Sequence, residues 1–282
     1  MTFSNLIDAA FGQILERSST STWSTWASHA RQFDQLWGQL PLVEVSRQRV
    51  LAWVQTRKRQ VRAATVLHQL ALLRNLFEVA RENGWASENP AAGITVGRTH
   101  KRSEWLSERD EARLKAAFLR RQCGELEFTM VRFAILTGLR RGEQAFLRPE
   151  HLSGGQTLVV PEQGKTGTRL VPLHPEALSI AQVWMGISQE VESDYIFWPQ
   201  AVGCRLKFAQ NYSDRTVKGL FREAGLGHLQ WRDLRRTFAC RLIAKGASIF
   251  EVQRLLGHAS PTQTLTYCQV GLDQLRETVL KL

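Results

Sequence analysis

Apolar positions fall at helical spacing through most of this chain. Ala27, Ala30, Phe33 and Trp37 recur every three or four residues after the Ser/Thr-rich stretch Ser18 to Ser21, which supplies capping side chains. A second helix fits Ser46 to Gln55. Val66, Leu70, Leu73, Phe77 and Ala80 form one continuous stripe, stopped by Asn83-Gly84 ahead of a turn at Asn89-Pro90. Between Ala91 and Ser103 the period is lost, and Gly93, Gly97, Lys101 and Arg102 predict an exposed basic linker.

The pattern resumes with a capping signature, Ser107 and Asp110, ahead of a helix to about Arg121. Phe128, Val131 and Ile135 predict the next helix, ending near Gly138. The period then changes. Thr157 to Val160 and Arg169 to Leu173 alternate or run β-branched around Gln163-Gly164-Lys165-Thr166-Gly167, which predicts a β-hairpin. Pro172 places the second strand at an edge or a strand end. Helices resume at Glu176, with a short strand expected at Tyr195 to Trp198. Ser248 and Glu251 form a capping box, and Ser260-Pro261 opens a last helix start. The fold class expected is mainly α with a small β-sheet, without internal repeats. Its domains are a helical one at 1–95, a basic linker at 96–103 and a mixed α/β one at 104–282.

Charge narrows the partners. Across 282 residues the chain carries 37 basic and 26 acidic side chains, a net charge of +11. The excess lies in both halves, with 11 basic against 7 acidic groups up to Arg98 and 26 against 19 beyond it. That favours an extended anionic partner, most often nucleic acid. The longest apolar run, Val50 to Val54, is far too short for a membrane span, and Met1 to Arg17 lacks the pattern of a signal peptide. Cys123, Cys204, Cys240 and Cys268 lie far apart without a CxxC pair. They predict reduced thiols in the cytoplasm rather than a zinc site or a disulfide framework.

Four short motifs carry the candidate chemistry: Leu136-Thr137-Gly138-Leu139-Arg140-Arg141-Gly142-Glu143, then Arg232-Asp233-Leu234-Arg235-Arg236-Thr237-Phe238, then Leu255-Leu256-Gly257-His258, then Thr266-Tyr267. Each alone is weak, and an isolated arginine reads as a surface or ion-pair residue. His258 follows Arg235 by 23 residues and Tyr267 follows His258 by nine. With these motifs, their order and the basic hairpin between them, the chain resembles the tyrosine recombinase (phage integrase) family over nearly its whole length, with an Xer-like two-domain layout. The short stretch before the first domain leaves little room for the arm-site domain of larger integrases.

The resemblance implies a site-specific DNA recombinase whose helical core-binding domain and catalytic domain grip duplex DNA from opposite sides. A tyrosine hydroxyl, here Tyr267, would attack a phosphodiester and give a 3′-phosphotyrosine and a free 5′-hydroxyl. Arg140 and Arg235 would clamp the phosphate, since guanidinium groups are planar, permanently charged and able to donate paired hydrogen bonds. Lys165 would protonate the 5′-oxygen, His258 would donate to the phosphate or assist proton movement, and Glu143 would support the arginine. No metal or other cofactor is implied. The partners implied are double-stranded DNA and three further copies, four protomers on two sites exchanging strands through a Holliday junction, with allowance for an accessory DNA-bending protein. The segment Leu272 to Leu280 would dock on a neighbour.

One position departs from the family pattern. Arg232 stands where the family usually has His, three residues before the second arginine, so the acceptor of the tyrosine proton stays open. We expect Arg232 to join the phosphate clamp. Two further readings fit the same motifs, a DNA-binding protein of the same fold with impaired catalysis and a type IB topoisomerase-like enzyme. Arg57, Lys58, Arg59 and Arg62, with Lys101 and Arg102, are candidate DNA contacts. Trp26, Trp37 and Trp53 fall in helical segments and are expected to pack rather than to stack on bases. Tyr195 is expected in the core, and Tyr212 near a helix start.

Overall fold

A computed structural model describes residues 1–16, 20–97, 104–121, 124–153, 155–162, 167–190, 192–197 and 217–265. The chain divides into two compact units, Met1–Lys101 and Arg102–Leu282. In the first, four helices follow one another: α1 (Phe3–Glu16), α2 (Thr20–Trp37), α3 (Arg47–Gln60) and α4 (Ala63–Glu82). The α4 stripe is buried as its spacing predicts, with Val66, Leu70, Leu73 and Ala80 fully shielded. The α1 helix adds to the elements predicted. Phe3, Leu6, Ala10 and Ile14 place one side of it in the same core. Phe3, Phe33, Trp37 and Trp53 meet there as an aromatic cluster with centroids 5.0–6.5 Å apart. Trp37 is buried and Trp26 and Trp53 pack on the core, so all three tryptophans serve packing.

The stretch after α4 corrects one expectation. Ala91, Ile94 and Val96 are buried in the first unit's core instead of lying in an exposed linker. Their backbone is held by side chains: the Arg74 guanidinium donates to the carbonyls of Ala91 and Ile94, and Arg47 donates to Ala92. Apolar burial at irregular spacing leaves no periodic signal.

The second unit opens with α5 (Glu108–Leu119), α6 (Gly124–Thr137) and the short α7 (Arg141–Ala145). Ser107 caps α5, its Oγ accepting from the Asp110 N–H at 3.1 Å. The strands β1 (Leu152–Ser153), β2 (Thr157–Val160) and β3 (Arg169–Pro172) form an antiparallel sheet in the order β1-β2-β3. The predicted hairpin is therefore present, with Pro172 closing the edge strand β3 and Val160 paired with Arg169 at the end joined by the loop. The helices α8 (Pro175–Glu190), α9 (Lys218–Glu223), α10 (Trp231–Ala244), α11 (Ile249–Leu256) and α12 (Pro261–Leu265) follow. The expected strand at Tyr195 is absent: Tyr195 and Ile196 form a bend tied to Leu147 by one backbone hydrogen bond of 2.8 Å. Ile196 and Phe197 are buried there, whereas Tyr195 is only half-buried, against Phe146. Trp198 and Tyr212 lie outside the described residues.

Two features fix α10, the helix that carries the second arginine motif. Asp233 reaches back to accept the Gln230 N–H at 2.7 Å and sets its start. Phe238 and Ala239 pack with Val252 and Leu256 of α11 in a small core of their own. Arg132 pairs with Glu111 and Glu176 while Arg241 also reaches Glu111, tying α5, α6, α8 and α10 together. Among the described residues, no helix is long and apolar enough to cross a membrane.

Candidate active site

Gly138 ends α6 in the left-handed region, φ 64°. A Cβ at this position would lie 2.3 Å from the Phe238 ring, so only glycine permits the approach of α10. Two residues later Arg140 precedes α7, and the carboxylate of Glu143, buried in that helix, accepts from it twice. The Arg140 N–H lies 2.7 Å from Oε2 and its Nη1 lies 2.7 Å from Oε1. The Arg140 side chain keeps 39% of its surface exposed.

Arg235 reaches the same place from α10. Its guanidinium is buried and donates to the carbonyls of Gly138 (2.9 Å) and Leu256 (2.5 Å), with Nη1 3.7 Å from Glu143 Oε2. Arg140 and Arg235 line one cavity of about 290 Å³, together with Arg141, Lys218 and Arg232. Arg141, Lys218 and Arg232 are exposed. A larger groove of about 1230 Å³, lined by Trp105, Phe128, Phe238 and Leu242 among others, contains none of the motif arginines.

His258 follows a glycine cap. Gly257 ends α11 at φ 65°, with its N–H on the Arg254 carbonyl and the His258 N–H on the Gln253 carbonyl at 3.2 Å. The ring Nδ1 stands 2.8 Å from the Thr264 hydroxyl of α12. Burial lowers the His258 pKa, and Arg235, Arg140 and Arg169 lower it further against the opposing pull of Glu143, to about 4. Burial raises the Glu143 pKa, but hydrogen bonds from Arg169 and Arg140 outweigh that effect and hold it at about 2.

Both groups therefore have folded values below their unfolded ones, and the sign of the linkage is the same for both. The stabilisation from neutral His258 is complete above pH 6.5 and fades as pH falls toward about 4. That from ionised Glu143 is complete above 4.5 and fades toward about 2. An NMR titration of the His258 ring in the DNA-free protein should give a midpoint near 4. A midpoint at or above 6.5 would contradict the buried, cationic surroundings of the ring.

The site brings together Arg140, Glu143, Arg232, Arg235 and His258 of the residues singled out in the sequence. Lys165, Tyr267, Lys101 and Arg102, and the segment 272–280, lie outside the described residues. In the first unit Lys58, Arg59 and Arg62 are exposed. Arg57 is not available in the same way, because its guanidinium donates to Gln69, Gln60 and Gln32 within the unit. Sequence reasoning missed Arg169 and Thr264. Arg169 sits on the inward face of β3, where alternation calls for an apolar residue, while Leu170 is 62% exposed. That inversion is the signal that could have found it.

Comparison with known proteins decides the family. The sequence profile of the phage integrase family matches residues 104–272, well over half of the chain. The chain belongs to the phage integrase family. Like the tyrosine recombinases of that family, it is an enzyme of site-specific DNA recombination that cleaves and rejoins strands. This recombinase is 29% identical over 226 residues to the tyrosine recombinase XerC of Pelobacter propionicus, covering 77% of the chain and 72% of that relative. It is also 29% identical over 232 residues to the integrase of Escherichia phage 186, covering 79% and 61%. Among solved structures, the Tn1549 transposon integrase in complex with transposon right end DNA superposes with a TM-score of 0.81 over 100% of this chain and 99% of that one, at 17% identity. A lambda integrase tetramer bound to a Holliday junction gives 0.75 over 95% and 77%, at 20% identity. At that identity the likeness supports a shared fold for the recombinase.

Proposed function

We propose that the recombinase cleaves each strand by attack of the Tyr267 hydroxyl on a phosphodiester held between Arg140 and Arg235. The observation that carries this reading is the convergence of those two arginines, 95 residues apart in sequence, on one cavity and one buried carboxylate. Two guanidinium groups there can oppose the charge that builds on the non-bridging oxygens. The bond from phosphorus to Tyr267 forms as the bond to the 5′-oxygen breaks; the phenolic proton passes to water, and Lys165 protonates the 5′-oxygen as it leaves. His258, neutral at pH 7 by its low pKa, donates from Nε2 to the phosphate while the Thr264 hydroxyl holds Nδ1.

Arg232 lines the same cavity and acts as a third cation of the clamp. It cannot accept the phenolic proton, since a guanidinium stays charged near neutral pH. Arg232→Ala should slow single-turnover cleavage roughly 10²-fold, the scale of one lost preorganised donor. Arg232→Lys should recover part of the loss, and Arg232→His should add a pH dependence near neutrality. Equal rates for the parent and Arg232→Ala at every pH would make Arg232 a bystander.

The substrate is duplex DNA, bound through basic groups in both units, including Lys58, Arg59, Arg62, Lys101 and Arg102. Four copies assemble on two sites, with the segment 272–280 docking on a neighbour and an accessory DNA-bending protein as a further partner. The lambda integrase tetramer on a Holliday junction supports that assembly by its shared fold. The setting is the cytoplasm. The test is a plasmid bearing two copies of the DNA segments that flank the gene. Recombinant product supports the reading, whereas relaxation of supercoils without exchange would point to a topoisomerase-like enzyme, and binding without cleavage to a catalytically impaired relative.

A further inference from the structure

We infer that Arg169 is a positioning residue for cleavage, a buried counter-charge that fixes Glu143 and lets Arg140 and Arg235 keep their positive charge toward the phosphate. The inference rests on the phosphate clamp proposed above. Arg169 opens β3 on the sheet's inward face and is 9% exposed. Its guanidinium makes a two-pronged bond to Glu143, Nη1 to Oε1 at 2.9 Å and Nη2 to Oε2 at 2.7 Å. Its Nε donates to the Leu255 carbonyl at 2.9 Å.

Every one of those contacts ends on a neighbour of the clamp. Glu143 is the carboxylate that holds Arg140 by backbone and side chain. Leu255 precedes Leu256, whose carbonyl accepts from Arg235. Gly257, which leads into His258, has no Cβ where the Arg169 side chain passes: one placed there would lie 2.8 Å from Arg169 Cδ. Arg169 thus spans from the hairpin strand to α7 and to the end of α11, four residues after Lys165 in the chain.

Charge makes the point sharper than contact does. Arg140 and Arg235 both approach Glu143, at 2.7 and 3.7 Å. Without Arg169, that carboxylate would draw its whole compensation from the two arginines meant for the phosphate. The cluster of these four groups would then carry +1 instead of +2. A lysine at this position would keep the charge, but a single ammonium cannot make the two-pronged bond to Glu143 together with the Leu255 contact.

The test compares Arg169→Met, Arg169→Lys and the double variant Glu143→Gln/Arg169→Met. Single-turnover cleavage of a nicked site should fall about 10- to 10²-fold in Arg169→Met, less than for loss of a direct donor, with site affinity unchanged. Arg169→Lys should recover part of the rate. The double variant should cleave faster than Arg169→Met, because the carboxylate that competes for the clamp is neutralised. The His258 ring of DNA-free Arg169→Met should titrate higher than in the parent, since Arg169, Arg235 and Arg140 oppose its protonation while Glu143 favours it. That titration reads Arg169 even if the parent proves unable to cleave, so the two readings can fail separately. Should Arg169→Met fail to fold, Arg169→Lys and the double variant carry the same comparison. A folded Arg169→Met with parental cleavage, a double variant no faster than the single, or an unmoved His258 midpoint would overturn the inference.

Discussion

Tyr267→Phe should form no covalent adduct with a nicked target site while binding that site as the parent does. The substitution removes one oxygen atom, the one whose lone pair would form the bond to phosphorus in the proposed reaction. Among the described residues that line the cavity, Arg140 and Arg235 are permanently charged guanidinium groups with no lone pair to offer phosphorus. Affinity should hold within about 0.5 kcal/mol, because the ring is kept and a single hydroxyl is lost. The check is a denaturing gel of both proteins with the same labelled substrate. An adduct from the Phe variant would remove Tyr267 from the role of nucleophile.

The second large effect is expected at Glu143. Its carboxylate is 2% exposed and is shared by Arg169 and Arg140, with Arg235 close by. Glu143→Ala would leave Arg169 and Arg235 buried without their counter-ion. Breaking a buried pair from one side costs about 3–5 kcal/mol, a large share of the roughly 5–15 kcal/mol that holds a typical domain folded. The melting temperature should therefore drop by roughly 10 °C, and cleavage should be lost even below the new midpoint because Arg140 loses both of its anchors. Glu143→Gln keeps the shape and one acceptor and should fall between the parent and Glu143→Ala on both measures. Calorimetry beside the cleavage assay reads the two together. A parental melting temperature for Glu143→Ala would mean that the arginines find other partners.

The parts of the fold built on regular burial were legible in the sequence. The α4 stripe, the Ser107 and Ser248 caps, the hairpin and the edge position of Pro172 all follow from short-range rules. The α1 stripe, Phe3, Leu6, Ala10 and Ile14, is equally regular, at spacings of three and four residues. Ala91 to Val96 and the bend at Tyr195 were not legible, because burial without a period looks like a loop or a strand. In the site, the motifs located Arg140, Glu143, Arg235 and His258 because their chemistry recurs at fixed spacing. Arg169 escaped because its reason for being buried, the carboxylate of Glu143, lies 26 residues away and on another element. Arg57 erred in the opposite direction: a basic run looks solvated, but three glutamines of its own unit occupy this guanidinium.

The most direct test of the account is to identify the amino acid that carries the DNA. A nicked site traps the cleaved state, because the short 5′-hydroxyl strand diffuses away and cannot rejoin. Proteolysis of the trapped complex followed by mass spectrometry then locates the nucleotide-bearing peptide among the three tyrosines of the chain. The account predicts a single modified peptide containing Tyr267. Nucleotide on Tyr195 or Tyr212, or a site that is bound but never joined to the protein, would contradict it.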